Sequence, residues 1–262
     1  MPSSAGEMTP TSRCSVAIAV VLLASAILVA CGNGDDTKDG AVQGSPSDSA
    51  AASTTGGVNP ADFSTTIDNK FFPLEPGQKR VYEGEEKSGA ETTKTRVEET
   101  VLDETDKVAG VEVRTVEAKE YENDELSEIT KDYYAQYKDG AVYYFGERVD
   151  EYSNGQVVGH GGQWLAGEGQ NQPGVFMPAD PKVGDQFEQE RAPGIAEDTS
   201  KVIVVGETVD VPAETASGCI KTEDYSPVDK ATEFKFYCPD IGLMREEFTG
   251  GFLDLVSMEP SA

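Results

Sequence analysis

Phe72-Pro73-Leu74-Glu75-Pro76, closed by Gly77, returns later in the chain as Met177-Pro178-Ala179-Asp180-Pro181, followed by Gly184. An aromatic–acid pair comes after each, Tyr82-Glu83 and Phe187-Glu188. Further on, Val113-Arg114-Thr115 is matched by Ile220-Lys221-Thr222. Tyr134-Ala135, with Gly140 after it, is matched by Tyr237-Cys238, with Gly242 after it. The order of features is the same in both halves: a Pro-rich turn, three strands, a Tyr-small pair, a turn and a strand. This predicts a mainly β protein built from a duplicated β-meander, with halves at about 71–152 and 176–257. The halves are expected to join as one curved antiparallel sheet or to pack as a β-sandwich.

Local patterns agree with β structure. Few stretches hold the 3.6-residue apolar period of a helix, and Gly or Pro interrupts often. Val111 and Val113 alternate with charged residues, then the phase moves to Val116 and Ala118, which predicts a bulge near Thr115. Val202-Ile203-Val204-Val205 reads as a strand covered on both faces. Lys138-Asp139-Gly140 and Asn154-Gly155 are hairpin signals, the second suited to a type I′ turn.

Cys219 and Cys238 lie symmetrically about Val228-Asp229, the expected tip of a hairpin. Directly opposed residues on antiparallel strands have Cα atoms about 4.5–5.5 Å apart. That is within disulfide range, so the two are expected to be bonded.

The amino-terminal segment places the rest. Arg13 precedes an apolar run from Val16 to Val29, followed by Ala30 and Cys31. The run is shorter than the roughly 20 residues that span a bilayer and suits the core of a signal peptide. Leu28-Val29-Ala30-Cys31 resembles the bacterial lipobox. That resemblance implies a diacylglyceryl group on Cys31, removal of residues 1–30 and acylation of the new terminus, for example with palmitate. One acyl chain binds a membrane reversibly, and two or more hold durably. Glu7 is unusual in a signal n-region, so Met8 is an alternative start. Residues 31–58, rich in Gly, Ser, Ala, Thr and Asp, read as the lipidated cysteine and a flexible tether. Residues 59–258 read as the β-rich domain.

Charge narrows the partners. The chain has 21 basic and 48 acidic residues, a net charge of −27. Nucleic acid and anionic headgroups are repelled by such a surface, so nucleic acid is not expected as a partner. No segment has the ligand spacing of an EF-hand.

Trp164, Ala166-Gly167, Pro173-Gly174, Met177-Pro178-Ala179-Asp180-Pro181, Val183-Gly184, Gln189-Glu190 and Ala196-Glu197-Asp198 resemble a group of secreted bacterial proteins, often lipoproteins. Tyr237-Cys238-Pro239-Asp240-Ile241-Gly242-Leu243 also suits it. The resemblance covers most of residues 59–247 and implies no activity. A more distant analogy, resting on architecture alone, is to periplasmic lipoprotein carriers whose curved sheets hold lipid tails.

Catalytic motifs are missing from the sequence. The single histidine, His160 in a Gly-rich turn, cannot build a multi-histidine metal site. No Gly-x-Ser-x-Gly elbow accompanies it. Glu197-Asp198 and Asp103-Glu104-Asp106 could bind calcium or act as acid and base, but in so acidic a chain they read as solvated edges. The aromatic cluster Tyr133, Tyr134, Tyr137, Tyr143, Tyr144, Phe145 and Tyr152 stands out. Its first reading is core packing, with aromatics on both faces of a covered sheet. Its second is a ligand groove formed by Tyr133, Tyr137, Tyr143 and Phe145, with Trp164 joining it.

The expectation is therefore a non-enzymatic lipoprotein on the extracytoplasmic face of the cell membrane. It would hold no metal or other cofactor and would bind an apolar ligand or another envelope component. A hydrolase with a carboxylate-based site and a structural or interaction module are the alternatives. Buried carboxylates facing each other across a cleft would favour the hydrolase; a large tyrosine-lined pocket would favour ligand binding.

Overall fold

A computed structural model describes residues 59–261. The expected signal peptide, Cys14, Cys31 with its lipid, and the tether lie outside the described residues.

After a 3-10 turn at Pro60–Asp62, the first half begins with short strands β1 (Phe63–Ser64), β2 (Ile67–Asn69) and β3 (Phe72–Leu74). Five long strands follow: β4 (Lys79–Ser88), β5 (Glu91–Val108), β6 (Val111–Glu122), β7 (Glu125–Tyr137) and β8 (Val142–Ser153). The connecting stretch holds β9 (Gln156–Gly159), β10 (Trp164–Leu165), β11 (Gln172–Met177), β12 (Gln186–Glu188) and β13 (Glu190–Arg191). The second half runs through β14 (Thr199–Asp210), β15 (Thr215–Ser226), β16 (Ala231–Cys238), β17 (Gly242–Phe248) and β18 (Gly251–Glu259).

Of the two architectures the duplication allows, the chain adopts the single antiparallel sheet. The strand order is β12-β14-β15-β16-β17-β18-β4-β5-β6-β7-β8-β11-β13. Two joints shape it. The last strand, β18, pairs with β4, with Glu259 opposite Lys79 and Gly251 opposite Glu86. At the other joint, β12 and β13 are neighbouring pieces of one segment. β12 pairs with β14 and β13 pairs with β11, so residues 186–191 hydrogen-bond to both ends of the sheet. The sheet thus curls almost into a closed barrel, which leaves few free edges.

The hairpin signals have the geometry their residues dictate. Asn154 and Gly155 sit at φ 52° and 73°, as a type I′ turn requires. Ile220 lies opposite Tyr237, which brings the flanking cysteines face to face. Cys219 and Cys238 are disulfide-bonded, with Cα atoms 4.1 Å apart. The bond closes a short loop, for which the chain-entropy model gives about 3 kcal/mol. A Cys219→Ala/Cys238→Ala variant is expected to lose about that much in urea unfolding. An unchanged midpoint would mean that the hairpin is held without it.

Two sequence expectations need correction. The irregularity at Thr115 is carried by the neighbouring strand. Val101 faces Val116 and Thr105 faces Arg114, so residues 102–104 of β5 stand against Thr115 alone and the bulge is on β5. The Arg114 guanidinium fixes them by donating to the carbonyls of Leu102 and Asp103. Nor is Val202–Val205 covered on both faces: Val202 is buried, but Val204 and Val205 are exposed. β14 lies next to the short β12, and its register with β15 slips three times around these residues. Past the first slip Val204, Val205 and Gly206 are turned outward, and the strand returns to the interior only at Val209.

Candidate functional site

The predicted aromatic residues are divided between the two faces of the sheet and do not form one groove. On the outer face, Phe63 of β1 packs against Tyr137, Tyr143 and Phe145 with ring centres 5.1, 5.4 and 5.4 Å away. Tyr133 is buried and Phe145 fully so. Trp164 is on the other side, edge-on to Tyr144 at 5.5 Å. There it joins an inner cluster in which Phe72 meets Phe176 at 4.5 Å and Tyr134 at 5.1 Å. Rings at these spacings are mutual packing partners. Tyr137 lines a shallow hollow of about 550 Å³ together with Phe63, Asp68 and Lys138.

The interior holds what the sequence reading missed. Along β7, Glu128, Thr130, Asp132 and Tyr134 alternate inward and are all buried. Along β15 the same is true of Ile220, Thr222, Asp224 and Ser226. Asp132 (0% exposed) lies directly opposite Glu147 (1%) on β8. The Tyr144 hydroxyl donates to Asp132 Oδ1 at 2.6 Å. Neither oxygen of Glu147 accepts a well-formed hydrogen bond, and the buried Tyr134 hydroxyl is also unpaired.

Burial dominates the electrostatics. It pushes Asp132 well above the usual carboxyl range, against the Tyr144 hydrogen bond and with help from Glu99 and Glu128. It does the same to Glu147, reinforced by Asp132 and Glu190. Glu128 is raised to about 7, by burial first. Asp198 is raised to about 6, again mainly by burial. Lys235 is the only buried lysine among the described residues, with Glu233 at 3.2 Å and Asp224 at 3.6 Å. Burial pulls its ammonium down, but Glu246, Glu233 and Asp224 outweigh that and keep it charged.

This acidic interior reaches the surface at the seam between the two ends of the sheet. A groove of about 590 Å³ opens there, a size common for small-molecule sites. Its polar wall is Gln170, Gln172, Glu188, Glu190, Arg191 and Glu197. Pro193 and Pro227, the second from the β15–β16 turn, complete the rim. Arg191 is already paired with Glu188 at 3.0 Å. Glu190 is 2% exposed. Its Oε1 accepts a long bond from Trp164 Nε1 at 3.4 Å, while Oε2 has no partner. Burial, with Asp198 next in effect, holds this carboxyl well above its ordinary value.

Of the acids singled out in the sequence, Asp103, Glu104 and Asp106 are exposed, as a solvated edge would be. Glu197 is exposed at the groove, but Asp198 is buried, so that pair is not simply an edge. The Asp198 carbonyl receives the amides of Gln189 and Glu190 and thereby fixes the groove wall. His160 sits beyond β9 with Nδ1 2.7 Å from the Val149 carbonyl and 3.0 Å from Asp150 Oδ1. Among the described residues, no three His, Cys, Asp or Glu side chains gather so as to hold a metal ion.

No protein-family model matches the chain, and no curated protein matches it significantly. Two solved structures show a weak likeness. One is a proposed exported protein with a YmcC-like fold from Bacteroides fragilis: 14% identity, TM-score 0.43, covering 73% of this chain and 99% of that one. The other is a proposed lipoprotein from Parabacteroides distasonis: 14% identity, TM-score 0.37, with the same coverage. Likenesses this slight carry no argument about what the chain does.

Proposed function

We propose that this protein is a non-enzymatic, lipid-anchored binding protein of the cell envelope, tethered through Cys31 outside the cytoplasmic membrane. Its site is the seam groove, and its ligand is a polar envelope component. The observation that carries this reading is Glu190, a residue of the groove wall whose buried carboxyl has one oxygen without a partner. A buried polar oxygen without a partner is costly unless a ligand completes it. The aromatic residues are spent on packing each other, so they leave little for an apolar ligand to fill.

The Asp132–Glu147 pair is the feature a carboxylate-based hydrolase would use. General acid–base work needs a substrate within hydrogen-bond reach of both groups. Both are sealed inside the sheet, which weighs for the binding reading.

Placement is tested by fractionating cells that express the full chain with Cys31 intact or as Cys31→Ser. The unaltered chain is expected in the membrane fraction and to be extracted only by detergent. The serine variant should keep its signal segment uncleaved, or be released in soluble form. Identical processing and fractionation of the two would remove the anchor from the account.

A further inference from the structure

We infer that the seam groove recognises a primary ammonium group, received at Glu190 Oε2. This rests on the groove being the ligand site, as proposed above, and names the chemistry it selects.

Among the described residues, the groove lacks a free cationic group. Three carboxylates face it, Glu188, Glu190 and Glu197, against one guanidinium. Arg191 is taken up by Glu188. Glu190 has only the indole of Trp164 on one oxygen and nothing on the other. Burial favours the protonated form of Glu190 in the empty groove, and an incoming amine can take that proton, leaving a carboxylate whose Oε2 accepts from the new ammonium. A charged donor forms the shorter and stronger bond. The local field rules out an anion such as a phosphate or a uronic acid. A metal ion would need several converging ligands, and among the described residues none converge. An ammonium needs no such cage. It offers three donors, one for Glu190 and others for exposed groups of the rim such as Glu197 and the Gln170 or Gln172 carbonyl oxygens. Asp198 and Asp132 both act against a charge on Glu190, and a cation at Oε2 would offset them.

The test uses the mature unlipidated chain carrying Cys31→Ser. It is titrated with 1,5-diaminopentane and, in parallel, with 1,5-pentanediol, an uncharged molecule of the same length. Backbone amide shifts report where each binds. The diamine is expected to shift amides of residues 188–198, the diol to leave them unmoved, and Glu190→Gln to weaken the diamine by about tenfold or more. Equal shifts from both probes, insensitive to Glu190→Gln, would overturn ammonium recognition while leaving the groove as a binding site. With no shift from either probe the ammonium proposal also fails. Native mass spectrometry of gently extracted lipoprotein then decides the groove itself. A co-purified mass that disappears in a groove-filling Gln172→Trp variant would keep the groove as the site. No such mass would remove both.

Discussion

The melting temperature of the folded domain is expected to fall steadily as the pH rises from about 4 to 8. Most proteins lose stability on acidification because paired carboxylates must take up protons. Here the sign is reversed. Glu128 goes from 4.5 to about 7 on folding, and Asp198 from 3.8 to about 6. A carboxyl whose folded value is raised binds more protons in the native state. Its stabilising contribution is complete below the unfolded value and disappears as the pH passes through the folded one. At 1.36 kcal/mol per unit, each of these two groups removes about 3 kcal/mol across its window. Burial raises Asp132, Glu147, Glu190 and Glu246 as well, so their contributions have the same sign. The check is thermal or urea unfolding at half-unit pH steps, with Glu128→Gln beside the wild type. Glutamine cannot titrate, so the stability difference between the two proteins should change by about 3 kcal/mol between pH 4.5 and 7.5. A wild-type curve that rises over this range would overturn the buried-acid description.

Gly174→Ala is expected to open the seam. Gly174 is buried in β11, and a Cβ there would fall on the backbone of Glu188 and Gln189. These are backbone atoms of the one segment that hydrogen-bonds to both ends of the sheet. No flexible side chain can turn away, so the whole segment must shift. Overpacking of this kind costs about 1–3 kcal/mol, and the upper end is expected because backbone must give way. In a domain of this size that is a drop of roughly 5–10 °C in melting temperature. Hydrogen exchange would locate the damage. The Gln189 and Glu190 amides, which now donate to the Asp198 carbonyl at 2.8 and 3.2 Å, should lose protection. Amides of the β4–β7 region should keep theirs. Unchanged protection at the seam would mean that residues 186–191 do not hold the sheet closed.

The parts of this molecule that could be read from the chain are those written in local signals. Asn154-Gly155 announces its turn because both residues must take positive φ. The cysteine pair announces its hairpin because the two positions are equidistant from the tip. The site could not be read because its signal is inverted. On β7, Glu128 and Thr130 are buried while Ile129 between them is half exposed; on β15, Asp224 is buried while Tyr225 is 43% exposed. Hydrophobic alternation therefore points the strands the wrong way round at these places. Glu190 shows no pattern at all. Its burial comes from β11, whose pairing with β13 depends on the curl of the whole sheet. The aromatic cluster was legible in its first reading, rings packed on both faces of a covered sheet; the single groove was not, because Trp164 packs on the face opposite Tyr137, Tyr143 and Phe145. One clue was present. Thr222, Asp224 and Ser226 repeat at every second position, the spacing of a single face.

The pairing of β18 with β4 has a kinetic consequence. Lys79 pairs with Glu259, so the outer edge of the first long strand is covered by β18, far along the sequence. Contacts so distant in sequence are slow to form, because most of the polypeptide must be ordered before they are rewarded. A chain interrupted before residue 251 would leave the β4 edge as a template for other molecules. Docking of β18, rather than formation of any single hairpin, is therefore the step that closes this edge.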